Sequence, residues 1–220
     1  MPAMPASTSA ILVLDTTGRW CAAGLKRADG QVFTRHEAMA RGQAERLAPL
    51  VEELLAEAGV VPGDLARIGV ATGPGSFAGT RAGTAFARGL ALATGAKAVG
   101  VSSLAAWAYQ ADPGQTRTVA AIHDARREEL VFQVFTRGAP VSDILRLSID
   151  EARTALADYG DVVLTGSGAA LMGADPAGFA DEASLAALMT LTESAGEDAP
   201  PPSPLYARPP DAALPGGVIP

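Results

Sequence analysis

The sequence is poor in cysteine, in aromatic residues and in positive charge, and each shortage excludes a class of protein. Cys21 is the single cysteine among 220 residues, so the chain can form no intramolecular disulfide and no cysteine-rich zinc site. Aromatic residues make up 5%, and 17 basic residues against 24 acidic ones give a net charge of −7. A protein that binds nucleic acid by itself needs clustered positive charge or stacking aromatics, so this composition argues against one.

Long apolar runs are absent as well. Gly, Arg or Pro interrupts every apolar stretch well before roughly 18 residues, the length of a transmembrane helix. Residues 1–10 lack the basic and apolar regions of a secretory signal, so we expect a cytoplasmic protein that does not enter a membrane. What is present is a globular composition, 48% hydrophobic and 19% charged, and a chain long enough for one large domain or two small ones.

Strand and helix patterns alternate along the first half of the chain, which predicts an α/β fold. Ile11–Leu14 is a short apolar run typical of a strand buried on both faces, and two strands joined by tight turns follow it. An amphipathic helix is predicted at Gly42–Ala58 and a second helix from about Thr80 to Thr94, with strands at Ile68–Ala71 and Ala98–Val101. Ser102 is expected to cap a further helix that runs through Ala111.

The second half carries weaker signals. Asp112-Pro113-Gly114 breaks the chain and marks the expected domain boundary. We therefore predict a flexible N-terminus at 1–9, a subdomain with the helices at 10–112, a smaller subdomain at 113–198 and an extended or disordered proline-rich tail at 199–220. The elements predicted after the boundary are strands at Thr118–His123, Leu130–Phe135 and Val162–Thr165, and helices at Ile149–Tyr159, capped by Ser148, and Asp181–Ala195.

The predicted helix at about Thr80–Thr94 is apolar on nearly every side. Arg81 and Arg88 are its charged residues, seven positions apart and so on one face. Gly79, Gly83 and Ala87 form a ridge of small residues on which a second helix could pack closely. A helix of this kind is usually covered on more than one side, so we expect it to pair with Gly42–Ala58 and with a partner.

Two turns could belong to a nucleotide-binding cleft. The glycine-rich turn Gly73–Gly79 joins a strand to a helix N-terminus and could hold an anion, although it matches neither GxGxxG nor a P-loop. A tight turn that needs glycine is the favoured interpretation. Asp15-Thr16-Thr17 resembles the acidic turn of actin-like ATPases, but turn formation explains Asp15 about as well as metal binding does. The full set predicted for a vestigial cleft is Asp15, Thr16, Gly73, Gly75, Ser76, Asp124, Gly166 and Gly168.

No other pattern points to a catalytic or metal site. His36 and His123 are isolated, so the HxxxH and HExxH motifs of helix-borne metal sites are absent. Spacing alone does not exclude a Ser/His/Asp triad, but Ser76 is not in a G-x-S-x-G nucleophile elbow. We predict no catalytic residue, no metal and no cofactor for the isolated chain.

Five dense segments and three sparse ones together resemble one known family. The dense segments are Ile11–Thr17, Gln43–Leu55, Gly73–Gly83, Gly89–Ala93 and Val99–Leu104; the sparse ones are Asp124–Glu129, Thr165–Gly168 and Pro204–Arg208. They resemble the TsaB family, bacterial subunits of tRNA threonylcarbamoyladenosine biosynthesis, and the segment Gly-Pro-Gly-Ser-Phe is the most specific part. Gln43 and Ala78 stand where relatives often carry His and Thr, which affects the details of an interface.

This resemblance implies an actin-like (ASKHA, ribonuclease H-like) fold of two related subdomains, the second reduced. It implies a non-catalytic subunit that dimerises with the catalytic paralogue TsaD, is joined by the small ATPase TsaE, self-associates when alone and meets tRNA only through the complex. The residues predicted for the partner interface are Leu47, Leu50, Val51, Leu54, Phe77, Arg81, Gly83, Thr84, Ala87 and Arg88. The Leu47–Leu54 stripe could instead face its own sheet, which amphipathicity favours.

Two other functions stay open on the sequence. An actin-like ATPase or small-molecule kinase is motivated by Asp15-Thr16 and the Gly73–Gly79 turn. A peptidase is the weaker alternative, because the motifs for its metal or nucleophile are missing.

Overall fold

The computed structural model describes residues 10–175 and 182–207 and consists of two mixed sheets separated by a helix. The predicted flexible segment 1–9 and the end of the tail lie outside the described residues. The helices are α1 (Gln43–Ala58), α2 (Phe77–Thr94), α3 (Ser103–Ala111), α4 (Ile149–Ala157) and α5 (Leu185–Ser194). In the described ranges, no helix is both long and apolar enough to cross a membrane.

The first sheet has the strand order β3-β2-β1-β4-β5. Its strands are β1 (Ala10–Asp15), β2 (Trp20–Lys26), β3 (Val32–Ala38), β4 (Leu65–Ala71) and β5 (Lys97–Val101). β1, β2 and β3 pair antiparallel, whereas β1, β4 and β5 pair parallel. Every residue of β1 is buried, as its continuous apolar run predicts for a central strand covered on both faces.

The second sheet repeats part of this arrangement. Its strands are β6 (Thr118–Asp124), β7 (Glu129–Thr136), β8 (Ala139–Pro140), β9 (Leu145–Ser148) and β10 (Val162–Thr165). β6 pairs antiparallel with β7 and parallel with β10, just as β1 pairs with β2 and β4. The short strands β8 and β9 both pair with β7; the sequence analysis missed them because neither forms a distinct apolar run.

Helices cover the faces of both sheets. α1 and α2 pack on one face of the first sheet, and α3 and α5 pack on the other. α3 also lies against the second sheet through Leu104, Trp107 and Ala108, while α4 covers the far face of that sheet. α3 therefore contributes to the cores of both sheets.

The helix ends follow the signals in the sequence. The hydroxyls of Ser102 and Ser148 accept N–H bonds in the first turns of α3 and α4, as predicted. Gly59 and Gly95 end α1 and α2 in the left-handed conformation, the usual way to stop a helix. α2 begins at Phe77, three residues before the predicted start, because Ser76 caps it.

The position of α5 corrects one expectation. The division of the chain at residue 112 stays a prediction, but α5 falls within the segment assigned to the second subdomain and packs on β1, β4, β5 and β2 of the first sheet. Its buried residues Ala187, Leu188 and Met189 pack with Ile11 and Val13. The helix begins at Leu185 rather than Asp181, a residue outside the described ranges.

Candidate functional site: a closed cleft and an exposed helix face

The acidic turn after β1 is enclosed by protein. The Asp15 side chain is fully buried, and its Oδ1 accepts hydrogen bonds from the backbone N–H (2.8 Å) and the hydroxyl (2.7 Å) of Thr17. The Trp20 ring covers Gly18 so closely that a Cβ there would overlap it. Burial raises the pKa of Asp15 to about 6, against the lowering effect of the Thr17 bonds. The Asp15 carboxylate thus stabilises the turn that follows β1.

The glycine-rich turn packs directly on this acidic turn. Ser76 N–H donates to the Thr17 carbonyl (2.5 Å), and the Thr16 hydroxyl donates to the Gly79 carbonyl (2.7 Å). Cβ atoms on Gly75 or Gly79 would overlap the carbonyl oxygens of Thr17 and Thr16. The glycines therefore permit two backbones to touch, and the turn after β1 lies where side chains at positions 75 and 79 would be.

The C-terminal segment closes the same region from another side. Leu205 N–H donates to the Thr72 carbonyl (2.7 Å), and a Cβ on Gly73 would lie 2.7 Å from the Leu205 carbonyl oxygen. Pro202 lies against Gly100 of β5. Residues 199–207 contain no regular secondary structure, and their packing on the first sheet was not predicted.

The remaining residues of the predicted cleft form a separate cluster on the second sheet. Gly168 N–H donates to the Ile122 carbonyl (2.9 Å), and Asp124 N–H donates to the Ser167 hydroxyl (3.0 Å). The Asp124 carboxylate forms an ion pair with Arg126, and Gly166 is packed against Ile122 and Trp107. The eight residues predicted for the cleft thus fall into two groups, five around β1 and α2 and three around β6. Helix α3 contacts the first group through Ser103 and the second through Trp107.

The two histidines and the single cysteine are engaged in packing or in contacts within the chain. His36 forms an ion pair with Glu182 (2.7 Å), and His123 stacks on Trp107 and lies 3.2 Å from the Ser167 hydroxyl. Burial raises the pKa of the Cys21 thiol to about 11, which makes it a poor nucleophile. Within residues 10–175 and 182–207, no group of three or more His, Cys, Asp or Glu residues is placed to hold a metal ion.

The predicted interface residues divide between the core and the surface. Leu47, Leu50, Val51 and Leu54 of α1 are at most 2% exposed and pack on the first sheet, so they do not form a free surface. Burying such a side chain contributes about 1.5–3 kcal/mol to folding. Gly83, Thr84 and Ala87 of α2 are also buried and face the first sheet. Gly83 lies close to the Thr16 hydroxyl and to Val70.

The opposite side of α2 is exposed. The α2 outer face consists of Ala78, Arg81, Ala85, Arg88, Gly89 and Leu92, which are all exposed and, apart from the adjacent Arg88 and Gly89, recur every three or four residues. Leu92 is 89% exposed and Phe77 beside this face is 45% exposed. The sequence analysis named Arg81, Arg88 and Phe77 but missed Ala85, Gly89 and Leu92. The absence of any charged residue other than two arginines was the signal that pointed to this helix.

Comparison with known proteins assigns the chain to a family. Residues 36–163 match the family model described as TsaD, tRNA N6-adenosine threonylcarbamoyltransferase. The chain is 36% identical over 129 residues to the Escherichia coli K12 protein named tRNA threonylcarbamoyladenosine biosynthesis protein TsaB, and 32% identical over 134 residues to the Haemophilus influenzae protein of that name. These matches cover 58% and 60% of this chain but only 55% and 56% of those relatives.

A solved structure extends the likeness to nearly the whole chain. An uncharacterised Pseudomonas aeruginosa protein, described as similar to the peptidase YeaZ, superposes with a TM-score of 0.72 at 30% identity, covering 91% of this chain and 100% of that one. This likeness confirms the predicted actin-like α/β fold. With more than half of its length matched by the family model and nine-tenths by the YeaZ-like structure, the chain belongs to the TsaD/TsaB family of actin-like proteins, as a TsaB-type member.

Proposed function

We propose that this chain is a non-catalytic subunit of the complex that forms N6-threonylcarbamoyladenosine at position 37 of tRNAs reading codons that begin with A. It forms a heterodimer with a TsaD-type transferase through the α2 outer face. The observation that carries this proposal is the exposed α2 outer face with Leu92, in a chain whose relatives in Escherichia coli and Haemophilus influenzae are named for threonylcarbamoyladenosine biosynthesis.

The chemistry of the α2 outer face suits a protein partner. Its alanines and glycine allow a second helix to approach closely, and Leu92 supplies an apolar contact with 89% of its surface accessible. The neighbouring helix α1 exposes acidic side chains, among them Glu45 and Glu52. A helix pair of the partner packed on α1 and α2 would make a four-helix contact. A second copy could do the same, with its acidic α1 opposite the arginines of α2, when the transferase is absent.

The closed cleft supports a non-catalytic role. An ATPase or kinase would bind a phosphate at the glycine-rich turn, whereas here that turn packs against backbone atoms of Thr16, Thr17 and Leu205. A peptidase would need a free nucleophile, whereas the Ser76 hydroxyl caps α2. In the proposal, catalysis belongs to the transferase, TsaE joins the complex, and tRNA is held by the other subunits, because a chain of net charge −7 is a poor polyanion binder.

A substitution of Leu92 tests the proposed interface. Leu92→Glu places a charge at the C-terminal end of the α2 outer face and should weaken the heterodimer with the TsaD-type transferase at least tenfold, because the carboxylate would be desolvated on binding. Calorimetric titration of the two purified proteins gives the affinity. Leu171→Glu is the matched control, since Leu171 is also exposed (41%) but follows β10 in the second sheet. Equal affinities for both variants and the wild type would contradict the proposed interface.

Reconstitution of the modification tests the role itself. We expect the transferase to form threonylcarbamoyladenosine in tRNA only when this chain is present, with the product measured by mass spectrometry of digested tRNA. The chain alone should neither hydrolyse ATP nor cleave peptides. Turnover of ATP by the isolated chain would instead favour the kinase or ATPase alternative.

A further inference from the structure

Three side chains, those of Phe77, Arg81 and Tyr206, meet at the N-terminal end of the α2 outer face. The Arg81 guanidinium carbon lies 3.9 Å from the centre of the Phe77 ring and 5.5 Å from that of Tyr206. The two rings are 4.9 Å apart, and Arg81 Nε–H donates to the Tyr206 hydroxyl (2.8 Å). Tyr206 belongs to the C-terminal segment that Leu205 fixes to Thr72. Arg81 is therefore held by two aromatic rings and one hydrogen bond although it is exposed.

The way Arg81 is held leaves its recognition groups unused. The two Nη atoms of the guanidinium have no acceptor among residues 10–175 and 182–207. The Tyr206 hydroxyl accepts from Nε, so its own proton remains available for donation beside them. An arginine with a fixed plane and a free pair of amino groups is arranged to bind a carboxylate with two parallel hydrogen bonds.

The electrostatics of α2 favour an anion at this point. The N-terminal end of a helix carries partial positive charge, which is normally offset by an acidic residue in the first turn. α2 has no acidic residue there, and Arg81 adds a further positive charge one turn later. An anion from outside the chain would compensate both.

We propose that Arg81, held by Phe77 and Tyr206, is a receptor for an Asp or Glu carboxylate of the protein partner that docks on the α2 outer face. This inference rests on the proposed function and specifies the chemistry of its interface. A protein carboxylate rather than an RNA phosphate fits the site. Arg81 shares the α2 outer face with apolar residues such as Ala85 and Leu92, and the chain as a whole is acidic. Arginine surrounded by apolar contacts is a frequent centre of binding energy in protein interfaces.

Titrations with the TsaD-type transferase at 50 and 500 mM NaCl test this assignment. Arg81→Gln should weaken binding about thirtyfold at low salt and remove most of the salt dependence, because the charge pair is lost. Arg81→Lys should recover only part of the affinity, since lysine lacks the paired amino groups. Tyr206→Phe, which keeps the ring but removes the hydroxyl, should weaken binding about fivefold. Arg153→Gln, on α4 of the other sheet, should bind as the wild type does.

The outcomes separate this inference from the proposal on which it rests. If the wild type binds the transferase and Arg81→Gln binds equally well, the carboxylate receptor is refuted while the interface stands. If Arg81→Gln keeps its affinity for the transferase but lowers tRNA retention by the complex, the anion is a phosphate and the inference is likewise overturned. If the wild type forms no complex at all, the proposed function and this inference fall together.

Discussion

Replacing Gly79 with alanine is expected to lower the free energy of unfolding by about 3 kcal/mol or to prevent folding altogether. A Cβ on Gly79 would lie 1.9 Å from the carbonyl oxygen of Thr16. That oxygen belongs to the backbone of the turn after β1, so it cannot move aside as a flexible side chain would. The two turns would have to separate, and the hydrogen bond from Thr16 to the Gly79 carbonyl would break. Urea denaturation followed by circular dichroism measures the loss.

The same helix supplies a matched control. A Cβ on Gly89 would meet no atom within 4 Å, so Gly89→Ala should raise the free energy of unfolding by about 0.5–1 kcal/mol through helix propensity alone. Opposite signs for the same substitution at Gly79 and Gly89 would show that the glycine-rich turn serves close packing. Equal effects would mean that the two turns are not in contact and that the cleft is open.

Asp15→Asn is expected to change the pH dependence of stability. The folded-state pKa of Asp15 is raised from 3.8 to about 6, so the folded protein retains this proton over a range in which the unfolded chain has lost it. Its stabilising contribution is complete below pH 3.8 and is lost as the pH rises through about 6. Asparagine cannot ionise and still offers an oxygen to Thr17. The variant should therefore gain about 2 kcal/mol relative to the wild type between pH 4 and pH 7.

Glu37→Gln provides a comparison of opposite sign. The hydrogen bond from Arg46 lowers the pKa of Glu37, so its contribution is present at neutral pH and is lost as the pH falls through the lowered pKa. Unfolding curves from pH 4 to 8 should thus show Asp15→Asn gaining on the wild type as the pH rises, while Glu37→Gln does not. A constant difference between Asp15→Asn and the wild type would show that Asp15 is solvated and available to a ligand.

The sequence predicted α1 and the order of the main elements well because local patterns determine them. The stripe Leu47, Leu50, Val51 and Leu54 has helical spacing, and amphipathicity favoured its own sheet as the surface it covers, as the structure shows. Ser102 and Ser148 predicted the starts of α3 and α4, because a capping serine accepts a hydrogen bond from an N–H group only three residues further along the chain.

Contacts between distant segments account for what was missed. α2 is apolar on nearly every side, so periodicity could not indicate which side packs on the sheet, and Gly83, Thr84 and Ala87 were assigned to the wrong surface. The closure of the cleft depends on carbonyl oxygens of Thr16, Thr17 and Leu205, which carry no sequence signal. The association of Tyr206 with Arg81 joins residues 125 positions apart, beyond the range of any local pattern.

The path of the C-terminal segment has a consequence for self-aggregation. β5 is the last strand of the first sheet, and an uncovered edge strand can template the addition of strands from other molecules. Lys97 at its start binds the Gly196 carbonyl (2.8 Å), and Pro202 lies on Gly100 near its end. Three consecutive prolines, 200–202, follow this edge and have no N–H to donate. The segment therefore runs beside β5 without presenting a new row of N–H donors to which a strand of another molecule could add.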